Sequence, residues 1–168
     1  MAPPETARYV FRAVEEDDLP LIAAWLAEPH AAEWWDDPQT AVEEIRGHID
    51  SISVEPLIVE LRGRPIAYLQ SYDPHLEDDH PYQDQPFGTL GIDLTIGPAE
   101  MLGIGHGSAI VRQFVDELFA EGTPRVIIDP APTNARAIRA YEKAGFVAFD
   151  TRTSAYGPAL MMARDSQE

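Results

Sequence analysis

The sequence predicts a single domain of the mixed α/β class (α+β), and three observations support that expectation. The chain has 168 residues, of which 45% are apolar, and this is enough to build one buried core. Short apolar runs typical of strands alternate with amphipathic patterns typical of helices. No repeat, linker or low-complexity tract divides the chain. We therefore expect one domain over residues 1–168, with a mixed central sheet of about six to seven strands flanked by about four helices.

The first half of the chain is expected to form a strand, two helices and an antiparallel hairpin. Pro20 favours a helix start because proline is tolerated in the first turn, and Thr40 can cap the next helix. The segment Arg62-Gly63-Arg64-Pro65 is typical of a tight turn between two strands. The predicted elements are a strand at 9–13, a helix that begins at Leu19 and ends near Pro29, a helix at 40–52, and strands at 57–61 and 66–72.

The second half predicts a βαβα arrangement that follows a long loop. The loop Asp73–Pro86 is rich in acids and has no period, so we expect a surface loop of the length that often carries function. Thr133 or Asn134 can cap the last helix, and Gly145 can end it. The predicted strands are residues 89–96, 126–128, 146–149 and 159–163, and the predicted helices end near Gly122 and at Lys143.

Charge and composition exclude several classes of protein. The 12 Lys and Arg residues against 29 Asp and Glu residues give a net charge of −17, which repels nucleic acid and attracts cations. The absence of cysteine excludes disulfides, thiolate catalysis and Cys-ligated metals, and the five histidines lack metal-ligand spacing, so no metal is expected. No apolar run could cross a bilayer, and the start lacks the pattern of an export signal, so we expect a cytoplasmic protein with no membrane partner.

A glycine-rich segment follows the strand predicted at 89–96 and leads into an amphipathic helix. Alternate glycines allow a tight turn and close approach of a ligand, while the free N–H groups of a helix N-terminus can bind a diphosphate. The alternative is a simple tight turn. A Walker loop is excluded because Gly-Lys-Ser/Thr is absent, and a dinucleotide fold is disfavoured because the glycines come late in the chain. The segment is Leu102, Gly103, Ile104, Gly105, His106, Gly107 and Ser108.

A second motif, the run from Asp129 to Phe146, makes a family resemblance visible. Within it, Asn-x-x-Ala-Ile-x-x-Tyr-Glu-Lys-x-Gly-Phe follows the glycine segment by about thirty residues. The pair resembles the acetyl-coenzyme A (acetyl-CoA) binding core of the GNAT superfamily of acetyltransferases. Glu33-Trp34-Trp35, Tyr68-Leu69-Gln70-Ser71-Tyr72 and Gly91-Ile92-Asp93 are similar to the aminoglycoside 6'-N-acetyltransferases, so the resemblance extends from about Val10 to Met162. Leu102 departs from the pattern, since many superfamily members carry Gln or Arg there.

The resemblance implies a single GNAT domain that uses acetyl-CoA, with coenzyme A as product. It implies that the glycine segment holds the diphosphate mainly through backbone N–H groups. It also implies that the end of the strand carrying Asp93 and the start of the last helix contact the cofactor. The implied cofactor-binding residues outside the glycine segment are Leu94, Thr95, Ile96, Asn134 and Tyr141.

Two side chains are candidates for proton transfer. Strand alternation places Asp93 on the face opposite Ile92 and Leu94, where its alternatives are a solvated edge charge or a partner for a buried arginine. The resemblance implies that Asp93 is the general base for the attacking amine. Tyr141 lies two helical turns after Asn134 and could instead be an ordinary core tyrosine, but the resemblance implies that it protonates the thiolate.

The resemblance assigns the acceptor contacts to Trp35, Gln70, Asp93 and Asp129. It implies direct acetyl transfer, in a ternary complex, to a primary amine of a cationic small molecule, with the 6'-amino group of an aminoglycoside as the best candidate. Such activity would confer antibiotic resistance. The alternatives are a siderophore-type hydroxylysine acyltransferase, a polyamine or metabolite acetyltransferase, a non-catalytic coenzyme A sensor, and a cofactor-free scaffold. Either a monomer or a homodimer is compatible with the sequence.

Overall fold

The computed structural model describes residues 8–154 and 157–167. Within these ranges the chain forms seven strands and five α-helices. They are β1 (Tyr9–Ala13), α1 (Leu19–Leu26), α2 (Pro29–Ala32), α3 (Pro38–His48), β2 (Val54–Leu61), β3 (Arg64–Tyr72), β4 (Leu90–Ile96), α4 (His106–Ala120), β5 (Arg125–Ile128), α5 (Ala135–Lys143), β6 (Val147–Ser154) and β7 (Gly157–Asp165). Among the described helices, none combines the length and apolar character needed to cross a membrane.

The strands form one mixed sheet in the order β1-β2-β3-β4-β5-β7-β6. β1 pairs with β2 in antiparallel register, with Phe11 opposite Val59. β4 and β5 are parallel, as expected for strands joined by a helical crossover, and their pairing covers Leu90 and Gly91 and ends before Asp93. β7 pairs antiparallel with both β5 and β6. The predicted mixed sheet of six to seven strands is therefore confirmed.

Backbone contacts divide the chain into two compact units, each built from two segments. The first unit contains Met1–Ser71 and Leu94–His106, and the second contains Tyr72–Asp93 and Gly107–Glu168. In the first unit the apolar faces of α1 and α3 bury Ile22 and Ile45 together with Tyr68 of β3. In the second unit, α4 contributes the fully buried Ile110.

The helices of the first half differ from the prediction in their bounds and in their number. α3 begins at Pro38, because the carboxylate of Asp37 accepts from the backbone N–H of Thr40 at 3.2 Å and so acts as the N-cap in place of Thr40. The helix ends at His48, and Ile52, the predicted end, is 87% exposed, so no core contact extends the helix that far. The short helix α2, which starts at Pro29, was not predicted.

The acid-rich loop Asp73–Pro86 is more ordered and more buried than a surface loop. It contains a 3-10 turn at Pro74–Leu76, and it buries the side chains of Tyr82 and Gln85. The guanidinium of Arg152 on β6 anchors the loop by donating to Asp84 Oδ2 at 2.7 Å. Tyr82 and Gln85 therefore depart from the expected surface loop, because Asp129 and Arg125, which are distant in sequence, supply partners for their side chains.

Candidate active site

Two carboxylates and three tyrosines of the second unit form what we call the acidic aromatic cluster: Asp93, Asp129, Tyr72, Tyr82 and Tyr141. Asp93 lies in β4 and is half-buried, and Asp129 directly follows β5. Burial raises the pKa of Tyr72 and Tyr141 first, and the negative charges of Asp93 and Asp129 raise both pKa values further. Both carboxylates are therefore within electrostatic range of both phenols.

Tyr141 is placed by α5, whose start and end follow from the sequence. Asn134 is the N-cap, and its side chain accepts from the backbone N–H of Ala137 at 3.3 Å, which decides between the two predicted caps. Gly145 ends the helix with φ of +99°, a conformation that favours glycine. The ring of Tyr141 is buried, with its centroid 6.4 Å from that of Phe146. Because the pKa of its phenol is raised far above 10, Tyr141 is protonated at neutral pH.

Tyr82 of the cluster and its neighbour His80 were not identified from the sequence. The hydroxyl of Tyr82 donates to Asp129 Oδ2 at 2.5 Å, and the backbone N–H of Tyr82 donates to His80 Nδ1 at 3.1 Å. The His80 ring lies between two tyrosines, with centroid distances of 5.4 Å to Tyr72 and 5.1 Å to Tyr82. An aromatic residue beside histidine in an otherwise acidic loop is the only sequence signal that could have indicated a packed loop.

The pKa of Asp129 is raised by burial and partly lowered again by the hydrogen bond from Tyr82. The pKa of His80 is lowered by burial, so His80 is neutral at neutral pH. With Nδ1 accepting from the Tyr82 backbone, the proton of the neutral imidazole lies on Nε2. The cluster thus has two acids and no compensating imidazolium, which suits a cationic ligand.

Gly91 of β4 allows the ring of Tyr72 to lie against the strand two residues before Asp93. A Cβ at this position would lie 2.1 Å from Tyr72 Cζ, a distance that carbon atoms do not tolerate. Glycine here is therefore a packing requirement, and it fixes one tyrosine of the cluster beside the strand that carries Asp93.

In the first unit, the side chain of Tyr68 lies between those of Trp35 and Gln70, two residues predicted to contact the acceptor. Trp35 is half-buried, and its ring centroid is 6.0 Å from that of Tyr68 in an edge-on arrangement. The Tyr68 hydroxyl donates to Gln70 Oε1 at 2.6 Å. The side-chain carbonyl of Gln70 is thereby oriented by a buried tyrosine.

The glycine segment forms a turn over residues 102–105, directly before α4. Gly103 and Gly105 have φ of +75° and +94°, and both are exposed together with Ile104. His106 points inward instead: it is 1% exposed, its Nδ1 lies 2.7 Å from the Tyr9 hydroxyl oxygen, and burial lowers its pKa. The segment therefore offers exposed backbone and a helix N-terminus, with no cationic side chain.

Leu94, Thr95 and Ile96, which are also predicted to contact the cofactor, form the end of β4. Thr95 is buried, while Leu94 and Ile96 are half-buried. His30 Nε2 lies 2.8 Å from the backbone carbonyl oxygen of Ile96, a contact that ties α2 to the end of this strand. Leu94, Thr95 and Ile96 lie past the two residues of β4 that pair with β5.

The sheet order, the glycine turn before α4 and the capped helix carrying Tyr141 define an acetyltransferase of the GNAT class. A family model described as an acetyltransferase (GNAT) domain matches residues 14–153, and the chain belongs to this family.

The chain is similar to several named enzymes. The chain is 36% identical over 165 residues to aminoglycoside N(6')-acetyltransferase type 1 of Klebsiella pneumoniae, covering 93% of this chain and 82% of that protein. It is similar to the structure of AAC(6')-Ib in complex with paromomycin and acetyl-CoA, at 35% identity and a TM-score of 0.85 over 95% of this chain and 94% of that chain. It is also 28% identical to the lysine N-acyltransferase MbtK of Mycolicibacterium paratuberculosis, over 82% of this chain and 64% of that protein.

Proposed function

We propose that this chain transfers the acetyl group of acetyl-CoA to a primary amine of a cationic small molecule, directly and within a ternary complex. The 6'-amino group of an aminoglycoside is the acceptor we propose. The observation that carries the proposal is the acidic aromatic cluster, in which the negative charges of Asp93 and Asp129 both raise the pKa of the buried Tyr141 phenol. The match to an aminoglycoside N(6')-acetyltransferase over 93% of the chain supports the same acceptor class.

The glycine segment fits the diphosphate of acetyl-CoA. Its exposed backbone and the N-terminus of α4 supply N–H groups, as an anion requires. Because the side chain of His106 is buried and Leu102 is apolar, the backbone N–H groups of residues 102–108 bind the diphosphate. When bound, acetyl-CoA supplies the activated acetyl group. Asn134 can hold the pantetheine arm at the start of α5 while it caps the helix.

Asp93 is the proposed general base. Its carboxylate holds the acceptor ammonium and then accepts the proton that makes the amine nucleophilic, directly or through a water. The backbone N–H of Leu94 is the proposed donor to the negative charge that develops on the acetyl oxygen, because the ladder between β4 and β5 ends before Asp93. Thr95 and Ile96 continue the strand along the pantetheine arm.

Tyr141 is the proposed acid for the departing thiolate. Its phenol is protonated at neutral pH and can pass this proton to the sulfur as the C–S bond breaks, and the tyrosinate that forms is then reprotonated from solvent. The proton lost by the acceptor and the proton gained by the thiolate therefore have separate carriers, Asp93 and Tyr141.

The acceptor is the cationic partner that this charge distribution favours. Asp93 and Asp129 can bind two of its ammonium groups, and the net charge of −17 draws a polycation toward the protein. In the first unit, Trp35 offers an aromatic face for a sugar ring, and Gln70 offers an oriented amide for its hydroxyl groups. We also propose that residues 1–168 make up one acetyltransferase domain, since the family match includes parts of both units.

A second candidate is acyl transfer to a lysine-derived hydroxylamine, which the similarity to MbtK supports. The two candidates differ in the number of positive charges on the acceptor. A hydroxylysine carries no array of ammonium groups, and so makes less use of a site with two carboxylates.

An acceptor panel tests the proposal. Thiol release from acetyl-CoA should be measured with a 6'-amino aminoglycoside, the matched sugar that carries a hydroxyl at the 6' position, an N6-hydroxylysine analogue and spermidine. We expect kcat/KM for the 6'-amino sugar to exceed the others by about a hundredfold, since only that sugar pairs the nucleophile with the full set of contacts. Preference for hydroxylysine would favour the second candidate. Thiol release with none of these amines would contradict both.

A further inference from the structure

The acid-rich loop Asp73–Pro86 contributes a side chain to the acidic aromatic cluster from 47 residues away in sequence. The Tyr82 hydroxyl donates to Asp129 Oδ2 at 2.5 Å, a short distance typical of a hydroxyl bound to an ionised carboxylate. Asp129 is half-buried, and its other oxygen, Oδ1, has lone pairs with which it can accept a hydrogen bond from a ligand. The carboxylate also accepts a hydrogen bond from the backbone N–H of Asp129, and the two donors together restrict its rotation about the χ2 bond.

Tyr82 is itself held from several directions, so it can act as a rigid support. Its ring packs edge-on to His80, which stacks on Tyr72 with 29° between the planes. The guanidinium of Arg152 lies 5.6 Å from the Tyr82 ring centroid and donates to Asp84 of the same loop. The ring is buried, and its backbone N–H is occupied by His80.

We propose that Tyr82 is a positioning residue for acceptor recognition: it fixes Asp129 so that Oδ1 faces an ammonium group of the substrate. The acid-rich loop is then an element of acceptor specificity, because it delivers this hydroxyl. The inference rests on the proposed function, since it assumes an amine acceptor that bears more than one positive charge. Tyr82 acts through Asp129 and takes no part in proton transfer.

Tyr82→Phe removes the hydroxyl and keeps the ring. We expect KM for the 6'-amino aminoglycoside to rise about tenfold, as for the loss of one hydrogen bond to a charged group. The kcat and the KM for acetyl-CoA should change less than twofold, because Asp93 and the glycine segment are untouched. The KM for a singly charged amine, which does not need Asp129, should change little.

The pH profile separates positioning from a general loosening of the loop. The hydrogen bond from Tyr82 lowers the pKa of Asp129, so its loss raises that pKa. Asp129 must be ionised to bind an ammonium group, and the acidic limb of kcat/KM should therefore move to higher pH in Tyr82→Phe. The charged or titratable groups around this pair are Glu77 and His80 of the loop, Tyr72 and Asp93, Tyr141 of α5 and Arg152 of β6.

Gln83→Ala is the matched control. Gln83 Nε2 donates to the backbone carbonyls of Pro74 and Glu77, so this change loosens the loop without removing the Tyr82 hydroxyl. The acidic limb should not move in Gln83→Ala. In an Asp129→Asn background, Tyr82→Phe should add no further increase in KM, because the carboxylate it positions is gone.

Four outcomes distinguish the inference from the proposed function. If the wild-type protein acetylates no amine, the proposed function fails and this inference fails with it. If the wild-type protein is active but Tyr82→Phe leaves the acceptor KM and the acidic limb unchanged, only the inference is overturned. It is also overturned if Gln83→Ala reproduces both effects, or if the effects of Tyr82→Phe and Asp129→Asn add fully.

Discussion

Replacing Asp93 by asparagine is expected to lower kcat by about 10²- to 10⁴-fold, the usual contribution of a general base. Asparagine keeps the size and polarity of the half-buried side chain, so the strand should fold, but it cannot accept the proton of the attacking amine. Without a base only the neutral fraction of the amine reacts, and the residual rate should keep rising toward the pKa of that amine. Steady-state rates between pH 6 and about 10 measure both effects.

Two comparison variants make this result specific. Asp116→Asn removes an acid from α4 of the same unit, where it forms an exposed ion pair with Arg164, and should leave kcat unchanged. The kcat should fall less in Tyr141→Phe than in Asp93→Asn, because a thiolate is a stable leaving group and needs less assistance from an acid. If Asp93→Asn retains kcat within about threefold, Asp93 is not the base.

Gly91→Ala is expected to cause the largest loss of stability. The new Cβ would lie 2.1 Å from Tyr72 Cζ, and the ring cannot move freely because Tyr72 is buried and stacked on His80. Forcing a buried ring aside costs about 1–3 kcal/mol. For a chain of this size that corresponds to a fall in Tm of roughly 3–10 °C, measurable by calorimetry.

Gly47→Ala is the matched glycine control. Gly47 lies in α3, and a Cβ there would meet nothing within 4 Å. Because alanine favours a helix more than glycine does, this variant should be as stable as the wild type or more stable by up to ~1 kcal/mol. A Tm for Gly91→Ala equal to that of the wild type would show that Tyr72 does not occupy the space beside β4.

The elements that were predicted accurately are those fixed by local signals. β1 has the predicted bounds and α1 has the predicted start, because an apolar run and Pro20 define them without help from the rest of the chain, whereas α1 ends at Leu26, before the predicted end near Pro29. The start of α3 was misplaced because the predicted N-cap was Thr40, whereas the carboxylate of Asp37 accepts from the backbone N–H of Thr40. A four-residue helix such as α2 carries too little periodicity to be detected.

The residues of the candidate site also differ in whether a local sequence signal indicates them. Asp93 stands out in a sequence because an acid inside an apolar strand is unusual, and Tyr141 belongs to a recognisable motif. Tyr82 has neither signal. Its role depends on a contact with Asp129 across 47 residues, and such contacts follow from the folded path of the acid-rich loop. The burial of His106 was likewise invisible, because a histidine beside glycines has no pattern that indicates which way it points.

The most direct test of this account is a crystal structure of the protein with coenzyme A bound. We expect diphosphate oxygens about 3 Å from main-chain nitrogen atoms of residues 102–108, with no arginine or lysine side chain as the principal ligand. A diphosphate bound elsewhere, or held mainly by cationic side chains while the glycine turn stays empty, would contradict it.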